Sequence, residues 1–145
     1  ILYNNKHFNE PFDGIVYSVM VGMGFATFEN LLYVYQGGLS TAIMRMVTAV
    51  PAHGTFAVLM GFYLGKAKFE HKKSYYALHA LGVATLFHGA YDYCLFISWV
   101  PGIVALISLI IGIWLSKKAI RIHQLASPFI KKQPPFPDSE NQPHG

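Results

Sequence analysis

Three ionisable side chains in this chain could together perform chemistry: Glu29, His53 and His88. Each lies within a long apolar run. If such a run crosses a bilayer, a charged carboxylate inside it costs roughly 2.5 kcal/mol or more, so residues of this kind are candidates for a functional site. A carboxylate can act as a general base, and imidazoles can bind a metal ion or donate to a developing oxyanion. The next question is which elements could bring the three together.

The apolar runs predict an all-α fold, a polytopic membrane helical bundle with about four transmembrane helices. The chain has 145 residues, of which 53% are hydrophobic and 12% charged, a composition that fits a soluble domain poorly. We predict a cytoplasmic N-terminal segment at residues 1–13, a four-helix transmembrane domain at 14–122 and a disordered cytoplasmic tail at 123–145. The predicted helices span residues 14–35, 39–65, 74–98 and 103–116, with a break at 36–38, a kink at Pro51 and a turn at 99–102.

Helical geometry predicts that the three side chains share one layer. At about 1.5 Å of rise per residue, Glu29, His88 and His53 lie roughly 24, 21 and 18 Å from the cytoplasmic ends of their helices. Two imidazoles and one carboxylate are a common ligand set for catalytic zinc, with the fourth position left for water. Asp92, one turn after His88 on the same face, is predicted to accept a hydrogen bond from it and orient it.

Other interpretations of these residues remain open. A lone membrane histidine is more often a hydrogen-bonded packing residue than a ligand, and this alternative holds for His53 and His88 taken singly. His79 points to the opposite helix face from His88 and is left out of the site. We expect Arg45 near the outer interface, either extending to water or paired with Asp92.

The remaining charges indicate orientation. Ten of the eleven Lys and Arg residues fall on one side of the predicted spans, and only Arg45 lies within one. By the positive-inside rule both ends of the chain are cytoplasmic, in a multi-pass protein of the cell membrane. The basic residues form short clusters between apolar runs, so the predicted partner is the lipid bilayer and nucleic acid is excluded. Three further histidines are predicted to be solvated: His71, His123 and His144.

Three sequence blocks, in order, resemble the PrsW family of intramembrane proteases. The segment DGIVYSVMVGMGFATFENLLY resembles the family's GFAxxEN block, AHGTFAVLMGFYLG resembles its His-containing glycine-spaced helix, and FHGAYDY resembles its HGxxD block. The resemblance implies active-site roles for Glu29, His53 and His88, with Asn30 and Asp92 as supporting residues. It also implies kinship with CAAX prenyl proteases and bacteriocin-immunity membrane proteases.

The same resemblance implies an activity, the hydrolysis of a membrane-anchored protein substrate such as a regulatory anti-sigma factor. Both a zinc ion held by Glu29, His53 and His88 and a metal-free mechanism based on glutamate stay open. The family's Glu-Glu block, expected just upstream of the first helix, is missing from this chain. We therefore expect an N-terminally truncated member that can be inactive as a fragment. The alternatives are a proton-coupled transporter, for which no internal repeat is visible, and a catalytically inactive membrane scaffold.

Overall fold

Four helices account for most of the chain in the computed structural model, which describes residues 4–96 and 102–129. Within these ranges there is no strand, which confirms the prediction of an all-α fold. The helices are α1 (Pro11–Val47), α2 (Ala49–Phe69), α3 (Lys73–Phe96) and α4 (Gly102–Leu125).

The start of α1 is capped by its own first turn. Pro11 occupies the first helical position, where the missing N–H has no intrahelical acceptor to lose. The Asp13 carboxylate accepts hydrogen bonds from the backbone N–H groups of Asn9 and Glu10, at 2.8 and 3.0 Å. These bonds fix the chain at the start of the helix that carries Glu29.

The predicted break after the first span is present at Gly38. Its φ of 69° is a left-handed conformation that interrupts α1, and glycine adopts it without the steric cost of a Cβ. Arg45, seven residues after the break, contacts Glu29, nine residues before it. Residues 39–47 must therefore fold back along the end of the preceding helical segment.

The interruption that was predicted at Pro51, within the second helix, lies three residues earlier in the structure. The chain breaks at Thr48, not at Pro51, and α2 begins at the next residue. Pro51 instead sits in the first turn of α2, where helix amides have no intrahelical acceptor, so its missing N–H has no cost there. The first i to i−4 hydrogen bond of α2 follows immediately, from Ala52 N–H to the Thr48 carbonyl at 3.2 Å.

Helix α2 lies at the centre of the bundle. Eleven of its 21 residues are buried, and it packs against each of the other three helices. Its contact with α1 depends on glycine. A Cβ added at Gly61 would lie 2.5 Å from the Ile15 Cα, and one added at Gly14 would lie 2.6 Å from the Gly65 nitrogen. The two backbones can approach this closely only because these positions carry no side chain.

The outer surface is apolar, as expected of a bundle that faces lipid. Two of the described helices are long and apolar enough to cross a membrane, over residues Pro11–Val47 and Ile103–Leu125. Only 17% and 28% of their most apolar windows are buried inside the structure, whereas the core helix of a soluble protein would be mostly buried. The fold is an all-α membrane helical bundle.

Three contacts tie the start of α1 to the ends of α2 and α4. The Lys68 ammonium donates to the Asn5 carbonyl at 3.1 Å, His123 Nδ1 donates to the Pro11 carbonyl at 3.0 Å, and the Ser127 hydroxyl donates to the Glu10 carboxylate. One end of the bundle therefore gathers the beginning of α1, the α2–α3 connection and the end of α4.

This end of the bundle differs from the sequence prediction in two ways. Helix α4 continues nine residues beyond the predicted end at Ser116, to Leu125. His123 was predicted to be solvated, and this was wrong: it is 2% exposed and stacks on Phe62, with ring centroids 4.6 Å apart. Ser127, which lies within the predicted tail at 123–145, is also buried. Residues 130–145 and most of the predicted turn at 99–102 lie outside the described ranges.

Candidate active site

Glu29 lies on α1, nine residues before the Gly38 break, with its side chain 17% exposed. The guanidinium of Arg45 meets it from the folded-back segment, with Nη2 donating to Glu29 Oε2 at 2.5 Å. Arg45 Nε also donates to Asn30 Oδ1 at 2.7 Å, and its Cζ lies 3.9 Å from the centre of the Tyr33 ring. Two hydrogen bonds and the contact with the Tyr33 ring therefore hold the Arg45 guanidinium against the Glu29 carboxylate.

His53 comes from the second turn of α2 and is 6% exposed. Its Nδ1 lies 2.8 Å from the Ala49 carbonyl oxygen, which can only accept, so Nδ1 carries the hydrogen. Nε2 then faces Glu29 Oε2 at 3.3 Å and is buried without a hydrogen-bond partner among the described residues. If the His53 ring is neutral, the lone pair of Nε2 faces the Glu29 carboxylate oxygen, and the two repel each other. A proton on Nε2 or a cation between the two atoms would resolve that repulsion.

His88 comes from α3 and closes the group from the third side. Its Nε2 lies 3.8 Å from Glu29 Oε1 and 3.2 Å from Asp92 Oδ2, without the geometry of a hydrogen bond to either. The ring meets that of His53 edge to face at a centroid distance of 4.7 Å and stacks on Phe56. Two unpartnered imidazole nitrogens therefore point into the space beside the Glu29 carboxylate.

These three residues offer ligand atoms that all lie within 4.8 Å of one another. The donor set, two imidazole nitrogens and a carboxylate oxygen, is one that zinc accepts. Two carboxyl groups, those of Glu29 and Asp92, and the Arg45 guanidinium surround the cluster. The residues present thus fit a bound cation or a shared proton, although any cation here has to share Glu29 with Arg45.

Two sequence expectations about neighbouring residues need correction. Arg45 neither extends to water, since its side chain is only 15% exposed, nor forms an ion pair with Asp92; it contacts Glu29 and Asn30, because the chain folds back at Gly38. Asp92 approaches the same nitrogen of His88 that faces Glu29. An orienting acceptor would have to contact the other ring nitrogen, so the predicted role of Asp92 does not follow from this contact.

Sequence reasoning also missed residues that surround the site. The Tyr33 ring lies under the Arg45 guanidinium. The rings of Phe25 and Phe56 flank both imidazoles, at centroid distances of 5.7 to 6.4 Å. The signal for Phe25 and Phe56 was available, since each lies one helical turn from Glu29 or His53. The exclusion of His79 agrees with the structure, where its Nδ1 bonds to the Tyr75 carbonyl on the same helix, away from the cluster.

Comparison with known proteins gives a consistent result. A family model described as PrsW family intramembrane metalloprotease matches residues 1–116. A protein of Geobacillus kaustophilus (strain HTA426) named Protease PrsW is 50% identical over 95 residues, which cover 65% of this chain and 42% of that protein. Proteins of the same name from Clostridioides difficile (strain 630) and Bacillus subtilis (strain 168) are 40% and 44% identical, over 78% and 65% of this chain and 50% and 44% of those proteins.

The chain spans about half the length of the curated relatives it matches. No solved structure matches it. The family match covers four-fifths of the 145 residues and includes Glu29, His53 and His88, so this chain belongs to the PrsW family.

Proposed function

We propose that this chain forms the catalytic core of an intramembrane endopeptidase that hydrolyses a peptide bond in a membrane-anchored protein. Regulatory anti-sigma factors are the proposed substrate class. The observation that carries the proposal is the convergence of one carboxylate and two unpartnered imidazole nitrogens from three helices. Membership in a family described as intramembrane metalloproteases supports the same activity.

In the proposed reaction Glu29 is the general base. A water molecule held beside its carboxylate would lose a proton to Glu29 as its oxygen attacks the substrate carbonyl. His53 and His88, each carrying a proton on Nε2, would donate hydrogen bonds to the oxyanion that forms, because their Nε2 atoms face the space beside Glu29. Arg45, which also donates a hydrogen bond to Asn30, would hold the carboxylate in the orientation required for this role.

A zinc ion also fits this site. Glu29, His53 and His88 would hold it, and the ion would supply Lewis-acid polarisation of the carbonyl and a more acidic water. The proposal retains both routes because they use the same three residues. They differ in whether the purified protein carries metal.

We further propose that the chain crosses the membrane several times and that its N-terminal and C-terminal ends both face the cytoplasm. The contacts of Lys68 with Asn5 and of His123 with Pro11 support this arrangement, since they bring the start of α1 and the ends of α2 and α4 to one side. Lysines and an arginine cluster at the same side: Lys66, Lys68, Lys72, Lys73, Lys117, Lys118 and Arg121. The active site would then lie toward the opposite, outer face of the membrane.

The test is cleavage of a single-span substrate by the intact protein in proteoliposomes. Glu29→Gln and His88→Ala should each lower kcat/KM at least about a thousandfold, a loss typical of removing a catalytic group. Two substitutions serve as matched controls: Glu70→Gln removes an exposed carboxylate, and His79→Ala removes an imidazole on the same helix as His88. Both controls should cleave normally. Full activity in Glu29→Gln would end the proposal.

Metal content separates the two routes. With a resident ion, the purified protein should hold about one equivalent of zinc, and the His53→Ala, His88→Ala double variant should hold none. The His79→Ala control should keep the metal. A cleaving enzyme with no metal in either form would establish the metal-free route.

A further inference from the structure

An apolar cleft of about 260 Å³ opens directly beside the two site histidines. Its walls come from α1 and α3, and its floor comes from α2, because α1 and α3 each pack on α2 and hardly touch one another. The lining is almost entirely apolar, with Phe25, Phe56, Met60 and Ala84 among its residues. The polar side chains that line it are Thr85 and, at one end, His53 and His88.

The cleft extends from the site in one direction only. On α1 its residues precede Glu29, on α2 they follow His53, and on α3 they precede His88. Because α2 runs antiparallel to α1 and α3, the lining residues of all three helices lead toward the same end of the bundle. This is the end at which Lys68 donates a hydrogen bond to the Asn5 carbonyl. The cleft therefore runs from the site into the apolar interior of the membrane layer.

Its size defines what it can hold. Sites for small molecules usually measure about 300 to 1,000 Å³, so this cleft is too small for a helix and suits one or two side chains. Phenylalanine and methionine walls favour an aliphatic side chain, and a carboxylate entering them would be desolvated without a partner.

We propose that this cleft is the specificity pocket of the enzyme. It holds the aliphatic side chain next to the scissile bond, on the membrane-embedded side of that bond. This inference rests on the proposed function, since the imidazoles at the end of the cleft mark the position of the scissile bond. The predicted substrate class is thus a single-span protein with an aliphatic residue at that position, cut near the outer end of its span.

The experiment combines a filled cleft with a varied substrate. Ala84→Leu places a larger side chain in the cleft, while Ala90→Leu makes the same change on an exposed position of α3 that does not line it. Substrates carry Ala, Leu or Asp at the residue on the membrane side of the scissile bond. The wild-type protein should prefer Leu to Asp at least about a hundredfold in kcat/KM. Relative to wild type, the kcat/KM of Ala84→Leu should fall at least about tenfold more for the Leu substrate than for the Ala substrate. The kcat/KM values of Ala90→Leu should match those of wild type.

A binding measurement makes the test independent of catalysis. The same single-span peptide carries photo-leucine at that position and is irradiated with the Glu29→Gln protein in proteoliposomes. Cross-links should map by mass spectrometry to Phe25, Met60 or Thr85, and the Ala84→Leu change should abolish them.

Each outcome decides between the two proposals. Cross-links in the cleft without any cleavage by wild type would overturn the proposed protease function and retain the binding pocket. Cleavage whose preference is unchanged in Ala84→Leu, with cross-links elsewhere, would overturn the pocket and leave the protease function standing.

Discussion

Replacing Arg45 by methionine should lower the free energy of unfolding by about 2 to 3 kcal/mol. Methionine preserves most of the apolar stem of the side chain but removes the guanidinium. Three contacts are lost at once: the hydrogen bond to Glu29, the hydrogen bond to Asn30 and the stacking over Tyr33. The Glu29 carboxylate is then left in a largely buried position without its counter-ion.

The size of this change in the free energy of unfolding depends on three effects: the attraction between the charges, their desolvation and the water that still reaches Glu29. Charge centres about 4 Å apart attract by about 4 kcal/mol at an effective dielectric constant of 20. Desolvation of both groups offsets much of this attraction, yet removing one partner of a buried pair typically costs about 3 to 5 kcal/mol. The Glu29 side chain keeps 17% exposure, so water can solvate part of the remaining charge, and the expected loss falls below that range.

The assay is equilibrium unfolding of the purified protein in mixed micelles, followed by circular dichroism. A double-mutant cycle of Arg45→Met and Glu29→Gln should give a coupling free energy of at least about 1.5 kcal/mol. Arg121→Met is the matched control, because Arg121 is exposed near the end of α4, and its effect should stay within about 0.5 kcal/mol. Additive effects of the two site substitutions would refute the argued ion pair.

Two further predictions concern helix packing and orientation. Gly61→Ala should destabilise the protein by roughly 1 to 3 kcal/mol in the same assay, because its Cβ would meet the α1 backbone. Gly82→Ala should be neutral or slightly stabilising, because among the described residues no atom of another helix lies within 4 Å of its added Cβ. Equal stability of the two variants would contradict close packing of α1 on α2. In a Cys94→Ala background, a membrane-impermeant maleimide added outside intact cells should label Gln36→Cys and leave Lys72→Cys unmodified. Labelling of position 72 from outside would reverse the proposed orientation.

Much of the architecture could be predicted because apolar length and helical rise are properties of the chain itself. Four helices, the break at Gly38 and the common depth of Glu29, His53 and His88 all follow from counting residues along the sequence. The spacing of the two glycines in GFYLG is typical of closely packed membrane helices. In the structure both of them, Gly61 and Gly65, face the α1 backbone.

Other features depended on how the helices turn and pack. Arg45 seemed remote from Glu29 along an extended second helix, and only the reversal at Gly38 with the break at Thr48 places its guanidinium on that carboxylate. His123 was predicted to be solvated because it was placed in the tail beyond the last helix, but α4 continues and buries it against Phe62. The sequence by itself determined which residues could reach the same layer, because depth depends on local helical rise. Tertiary structure alone decided which atoms face one another there, since helix rotation and chain reversal arise from contacts between residues far apart in sequence.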